Sequence, residues 1–300
     1  MTELERFRAT VAHEKHNEWL YHAGFTPDLE RRVRERFGLG PKDSISEYFD
    51  MYAPVAVGMK PPEHRETPGF WRYYDDMDVP EGARLDGFGV LHVPGSMYHF
   101  THRISPLRNA KKLEDIEAFP YPNLDGFKDD HMAAQVKEAH AAGRVTTCWI
   151  GHMYETAWQI RDYESFLIDM VTAPEWAMYI LDRLTERNIK NAEAAARAGV
   201  DFLRTGDDVA NQNTMMFSLD HWRTFIKARW EKVYAAARAI KPDIEIWYHS
   251  DGNIEAIIPE LIEIGVTILN PVQPECMDVL EIKRKYEKDL VLDGVIGTQK

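Results

Sequence analysis

Apolar and polar residues alternate with a period of two from Ile244 to His249. Ile244, Ile246 and Tyr248 fall on one side and Glu245, Trp247 and His249 on the other, which predicts a strand of about six residues. The alternation breaks at His249-Ser250-Asp251-Gly252. A helical period with Leu261, Ile262 and Ile264 on its apolar side follows, and a second strand, Val266 to Leu269, runs into Asn270-Pro271-Val272-Gln273. Strand, polar turn, helix, strand is a βαβ unit, which carries its working groups at the carboxyl ends of the strands. From Asp130 the same rhythm recurs. A helix through His140 ends at Gly143 and strand Val145–Ile150 follows. Helices at Asp162–Thr172 and from Pro174 to Ala198 precede strand Val200–Thr205, and a long helix spans Leu219 to Ile240. Beyond the βαβ unit come a helix, Met277 to Tyr286, and strand Leu290–Val295. Upstream the pattern gives a short strand at Glu18–Gly24, a helix opened by Thr26-Pro27-Asp28, and a strand within Leu85–Val93.

Seven strands result, near Trp19, Leu85, Val145, Val200, Ile244, Val266 and Leu290. Strands alternating with long helices imply a parallel sheet, and 300 residues suit an α/β fold of the (β/α)8 TIM barrel type. The expectation is a single domain, 1–300, lacking the eighth strand and C-terminal helix within this chain. A loop-rich insertion at about 53–110 is full of Pro, Gly and aromatics; long ordered loops of this kind form lids or extra layers. Its aromatic run Phe70-Trp71-Arg72-Tyr73-Tyr74 either covers an apolar substrate or packs beneath the loop.

Composition narrows the function. A formal charge of −13 disfavours nucleic acid and anionic membranes as partners. No apolar run reaches the roughly 20 residues of a membrane span, and the N-terminus lacks a signal-peptide core. Two cysteines, Cys148 and Cys276, cannot make a disulfide framework, so a cytoplasmic location is expected. No GxSxG elbow, Walker loop, HExxH or CxxC pair occurs, and Gly87-Phe88-Gly89 lacks the rest of a dinucleotide fingerprint.

Polar residues recur where the strands end: Tyr154 and Glu155, then Asp207 and Asp208, His249 and Asp251, Asn270 and Gln273, Thr298 and Gln299. In a barrel these positions share one rim, where function lies. Each also has a plainer reading. An Asp pair after a strand suits a helix cap, and Glu155 can simply begin a helix. Cys276 can start a helix as readily as bind a metal, and Cys148 is a core position. His249 beside Asp251, with Gly252 allowing a sharp turn, is the strongest pointer to a site. His92, His99, His102 and His152 cannot be assigned by sequence.

Three segments carry a family resemblance: GDDVANQNTMMFSLDHWRTFIKARWEKV (206–233), WYHSDGNIEAIIPELIEIGVTILNPVQPECMD (247–278) and KRKYEKDLVLDGVIGTQ (283–299). The opening ERFRATVAHEK and NAKKLEDIEAFPYPN match as well. The chain resembles the uroporphyrinogen decarboxylase superfamily, specifically its methyltransferase-like branch. That resemblance implies a (β/α)8 barrel. It further implies either a zinc enzyme moving methyl groups between a corrinoid protein and an acceptor, or a cofactor-independent decarboxylase. His249 matches the zinc histidine of the family's HxCG motif, while Asp251 stands in the place of its cysteine and makes a harder site. The third family ligand is expected beyond this chain, leaving Glu155, Asp207, Asp208 or Cys276 to complete a set. The arginine-rich segment that would receive porphyrinogen carboxylates is replaced by Glu18–Gly24.

The leading expectation is therefore a metal-dependent methyltransferase or demethylase. His249, Asp251 and Cys276 are the metal candidates, and Asp207, Asp208 and Glu155 the catalytic ones. Tyr154, Asn270 and Gln273 are candidates for binding substrate. Zinc or another divalent metal is the implied cofactor, with a corrinoid carried by a partner protein. Substrate is a small molecule, and self-association would cover open strand edges. The alternatives are a decarboxylase working without metal and a non-catalytic barrel that binds a ligand or a corrinoid protein.

Overall fold

The computed structural model describes residues 1–63, 69–95 and 101–297. Nine strands occur among them: β1 (Val55–Ala56), β2 (Arg84–Leu85), β3 (Leu91–Pro94), β4 (Thr101–Ile104), β5 (Thr146–His152), β6 (Phe202–Gly206), β7 (Glu245–His249), β8 (Ile268–Asn270) and β9 (Val291–Leu292). β1, β5, β6, β7, β8 and β9 form a six-stranded parallel sheet in that spatial order. Each strand adds beside its predecessor without reversal, which is the winding of a barrel wall rather than of a doubly wound sheet. The arc is open, with β1 and β9 at its edges.

Alternation along the strands gives the sheet two different faces. Cys148, Ile150, Leu203, Ile246, Tyr248 and Leu269 face outward into the main core, beneath helices Tyr154–Arg161, Pro174–Ala198 and Ala228–Ile240. Pro174 opens the long helix at a position where its missing N–H costs nothing, and every third or fourth residue on one side is buried. On the concave face Val145, Phe202, Trp247 and Ile268 meet Leu4 and Phe7 of the N-terminal helix Glu3–Val11 in a second, smaller cluster.

Two expected strands are corrected. Glu18–Gly24 joins no ladder, and Trp19 is 85% exposed, so nothing recruits its apolar surface into the wall. Leu85–Val93 is a hairpin, not a barrel strand. Asp86 Oδ1 accepts the N–H groups of Phe88 and Val90, turning the chain between β2 and β3, and β4 completes a separate antiparallel sheet. The parallel strand that does occupy this part of the wall is β1, two residues inside the loop-rich stretch, paired with Thr146 and Thr147. Phe70 and Tyr74 of the aromatic run are buried in a short 3-10 helix, so the run packs beneath the loop. Among the described residues no helix is long and apolar enough to cross a membrane. Thr298 and Gln299 lie outside the described residues.

Candidate functional site

Parallel register sets the site. His152, Gly206, His249 and Asn270 are lateral partners across β5 to β8, one residue at the carboxyl end of each strand. A register shift between Trp149 and Gly151 inserts an extra residue in β5 and carries His152 into this row. Gly206 is required by proximity. A Cβ there would penetrate the His249 backbone, so only glycine lets β6 lie this close before turning into Asp207 and Asp208. Gly252, at φ +85, closes the next turn with its own Cβ position 2.5 Å from the Asn211 carbonyl.

Two clusters, each of one histidine and two carboxylates, stand side by side at this rim: His152, Glu155 and Asp207, and Asp208, His249 and Asp251. The first is saturated with donors. Asp207 is fully buried. Its Oδ1 accepts the N–H groups of Met153 (2.7 Å) and Glu155 (3.2 Å), capping helix Tyr154–Arg161, and its Oδ2 accepts Trp230 Nε1–H (2.8 Å). Burial pushes its carboxyl up to about 7, although the His152 charge and these donors pull the other way. His152 Nδ1 lies 2.6 Å from Glu155 Oε2 and 2.9 Å from the Gly206 carbonyl, so it holds the ring proton. Burial lowers the affinity of the imidazole for a second proton; the Glu155 hydrogen bond and the Asp207 and Glu155 charges outweigh it and raise the pKa to about 9. Glu155 is held below the ordinary carboxylate range, burial notwithstanding, chiefly by His152.

The second cluster has the opposite balance. Asn270 Nδ2 donates to the Asp293 carbonyl (3.2 Å), which turns its Oδ1 to His249 Nδ1 at 2.8 Å. An amide oxygen only accepts, so Nδ1 carries the proton and Nε2 presents a lone pair. That nitrogen faces Asp208 Oδ1 at 3.5 Å and Asp251 Oδ1 at 4.0 Å. The Asp251 N–H donates to Asp208 (2.8 Å), and burial still pushes the Asp208 carboxyl up, with Glu155 and Asp251 adding to it. Three acceptors thus converge with their ligand atoms within 4.8 Å of one another. One imidazole nitrogen and two carboxylates form a nitrogen–oxygen set that fits zinc or a harder divalent ion. Glu155 Oε2 accepts the Asp208 N–H (3.2 Å) and joins the two clusters.

The remaining expected residues divide between the core, the rim and the loops. Tyr154 is fully buried against Phe166 and Phe217, in the core rather than at the rim. Gln273 is buried and accepts the Gly252 N–H (3.1 Å), latching the β8 loop to the β7 turn. Asn270 touches His249 and orients it. Cys276 belongs to neither cluster; its thiol is pushed up by burial first, then by Glu275 and Asp251. Asp208 enters the metal-type set in its place. His152 was not assignable from sequence; Gly151 before it was the signal that a bulge could re-aim it.

A singly wound parallel sheet with its chemistry at the carboxyl rim defines a barrel-type α/β protein with a strand-end site. The profile of uroporphyrinogen decarboxylase (URO-D) matches residues 133–296, more than half of the chain, and the chain belongs to that family. Among solved structures it is similar to a methyltransferase from Methanosarcina mazei, at 15% identity and a TM-score of 0.65, over 99% of this chain and 83% of that one. That likeness is one of fold. No curated protein matches the chain.

Proposed function

We propose that this protein is a divalent-metal-dependent methyltransferase or demethylase, acting on a small methylated molecule with a corrinoid-bearing protein as the other methyl carrier. The observation that carries the reading is the convergence of His249 Nε2 with the Asp208 and Asp251 carboxylates. These three residues would hold the metal, which when bound supplies Lewis acidity, lowering the pKa of an acceptor or polarising the methylated heteroatom. Asp251, in the place of the family's cysteine, makes the set harder, which favours a methylated oxygen or nitrogen over a thiol.

The protein's own residues supply the rest. Asn270 fixes the tautomer and orientation of His249. His152 keeps a proton at Nδ1 between Glu155 and the Gly206 carbonyl, so a positive charge sits beside the acidic rim at neutral pH. Asp207 is a positioning residue, tying β6 to helix Tyr154–Arg161 and to Trp230. Decarboxylation is the second reading. Asp208, half-exposed and raised by burial, is the observation that favours it, because a protonated carboxyl there can face a substrate.

Demethylation of methylcobalamin in the presence of phenol, amine and thiol acceptors distinguishes the two. The proposal expects methyl transfer that chelator and His249→Ala both abolish. Carbon dioxide release from a carboxylic acid, unaffected by chelator and without methyl transfer, would establish the decarboxylase instead.

A further inference from the structure

One row beneath the rim, Trp149, Arg204, Trp247, Ile268 and Val291 are register partners across β5 to β9. The guanidinium carbon of Arg204 lies 5.7 Å from the centroid of the Trp149 ring and 4.7 Å from that of Trp247. Two indoles therefore fix the cation, as they favour a flat, weakly hydrated guanidinium over an ammonium. Among the described residues no carboxylate lies within ion-pairing distance of it. Asp293, whose charge it feels, is engaged by Trp247 Nε1–H at 2.7 Å and by His22 Nε2 at 3.0 Å. Arg204 is exposed and lines a cavity of about 1050 Å³ on the concave face, whose wall also includes Tyr52, Phe202, Trp247 and Ile268.

Around Arg204 the wall is aromatic and aliphatic, while Lys15, Lys283, Lys288, Glu14, Glu287 and Asp293 share the rest of the lining, an arrangement that suits an amphipathic anion. Rings and aliphatic groups pack on the wall, and the in-plane N–H groups of Arg204 suit a bidentate acceptor. Arg204 is held between two rings, and Lys15, Lys283 and Lys288 share the wall with Glu14, Glu287 and Asp293, so the lining carries only a small positive excess, which matches a monoanion better than a phosphate. Two residues further along β6 and β7 lie Gly206 and His249, roughly 7 Å away. Asp208, His249 and Asp251 do not line the cavity, but the His249 ring stacks on its wall residue Trp247 with centroids 5.9 Å apart, so the chamber adjoins the cluster.

We propose that this cavity binds an aromatic carboxylic acid, with Arg204 as the partner of its carboxylate, and that this sets the substrate class of the rim site. The second clause rests on the metal-site reading; the first does not.

Isothermal titration with benzoate, its neutral counterpart benzamide, and phenyl phosphate tests it on the unmodified protein and on Arg204→Gln, Arg204→Lys and His249→Ala. Benzoate is expected to bind the unmodified protein about tenfold or more tighter than benzamide. Rising salt should narrow that gap. Arg204→Gln abolishes it, Arg204→Lys keeps part of it, and His249→Ala leaves it in place. Equal affinity for benzoate and benzamide, no saturable benzoate binding, or tighter binding of phenyl phosphate each overturns the proposal using the unmodified protein alone. A folded Arg204→Gln protein that still prefers benzoate does so as well. Loss of metal in His249→Ala with benzoate binding intact separates this site from the rim. If the unmodified protein binds benzoate but no metal, the rim reading fails and the anion site stands.

Discussion

Asp207 and Asp208 are consecutive residues at the end of one strand, yet they belong to environments that differ in almost every physical respect. Asp207 is sealed in and meets three N–H donors, two from the start of a helix and one from Trp230. Asp208 is half-exposed, accepts one N–H, and looks across at the lone pair of His249. The same contrast separates the histidines. His152 is paired with a carboxylate as a proton donor, and His249 is turned by an amide so that its free nitrogen faces carboxylates. Donor balance, rather than residue type, distinguishes the cluster that holds the rim together from the one that can take a ligand.

The largest expected effect follows from the sealed cluster. Asp207→Ala strips a buried acceptor from three donors and should cost about 3–5 kcal/mol of stability, read from the denaturant midpoint. A loss below about 1 kcal/mol would show that the contrast is drawn in the wrong place.

A smaller effect concerns pH. The His152 pKa is raised from 6.5 to about 9, so the folded state binds its proton more tightly than the unfolded chain. The stabilisation is complete below pH 6.5 and is lost as pH rises through about 9. Unfolding free energy should fall by on the order of 2 kcal/mol across that window, and His152→Gln should flatten the profile. Asp207, raised from 3.8 to about 7, loses its share mainly at lower pH, so the two contributions can be told apart.

Asn270→Ala sharpens the comparison from the open side. It should weaken divalent-ion binding by roughly 10–100-fold, measured by competition with a chelating dye, while leaving the fold intact. The smallest stability effect belongs to Asp208→Ala, less than about 1 kcal/mol by the same denaturation assay.

Much of the fold was legible because it is written in periodicity. Phe202 and Leu203, or Trp247 and Tyr248, take opposite faces of the wall as their alternation requires, and the helix from Pro174 to Ala198 keeps one buried side throughout. Two-residue β1 was not legible, because a strand that short has no period, and Glu18–Gly24, expected as a short strand, joins no ladder: Leu20 packs on the concave-face cluster while Trp19 stays exposed. At the site, strand ends announced His249, Asp251, Asp207 and Asp208 together. Their division into sealed and open clusters depends on Trp230, 23 residues beyond Asp207, and on an amide from another strand, neither of which local sequence reveals. His152 escaped because a bulge shifts it by one position, and Tyr154, next to the rim in sequence, turns into the core.

Metal stoichiometry bears most directly on the central claim. Purified protein loaded with zinc, manganese or ferrous ion and freed of excess should retain one divalent ion per chain by elemental analysis, and His249→Ala should retain none. Equal metal content in the two proteins, or none in either after loading, would contradict the assignment of the Asp208–His249–Asp251 cluster as the metal centre.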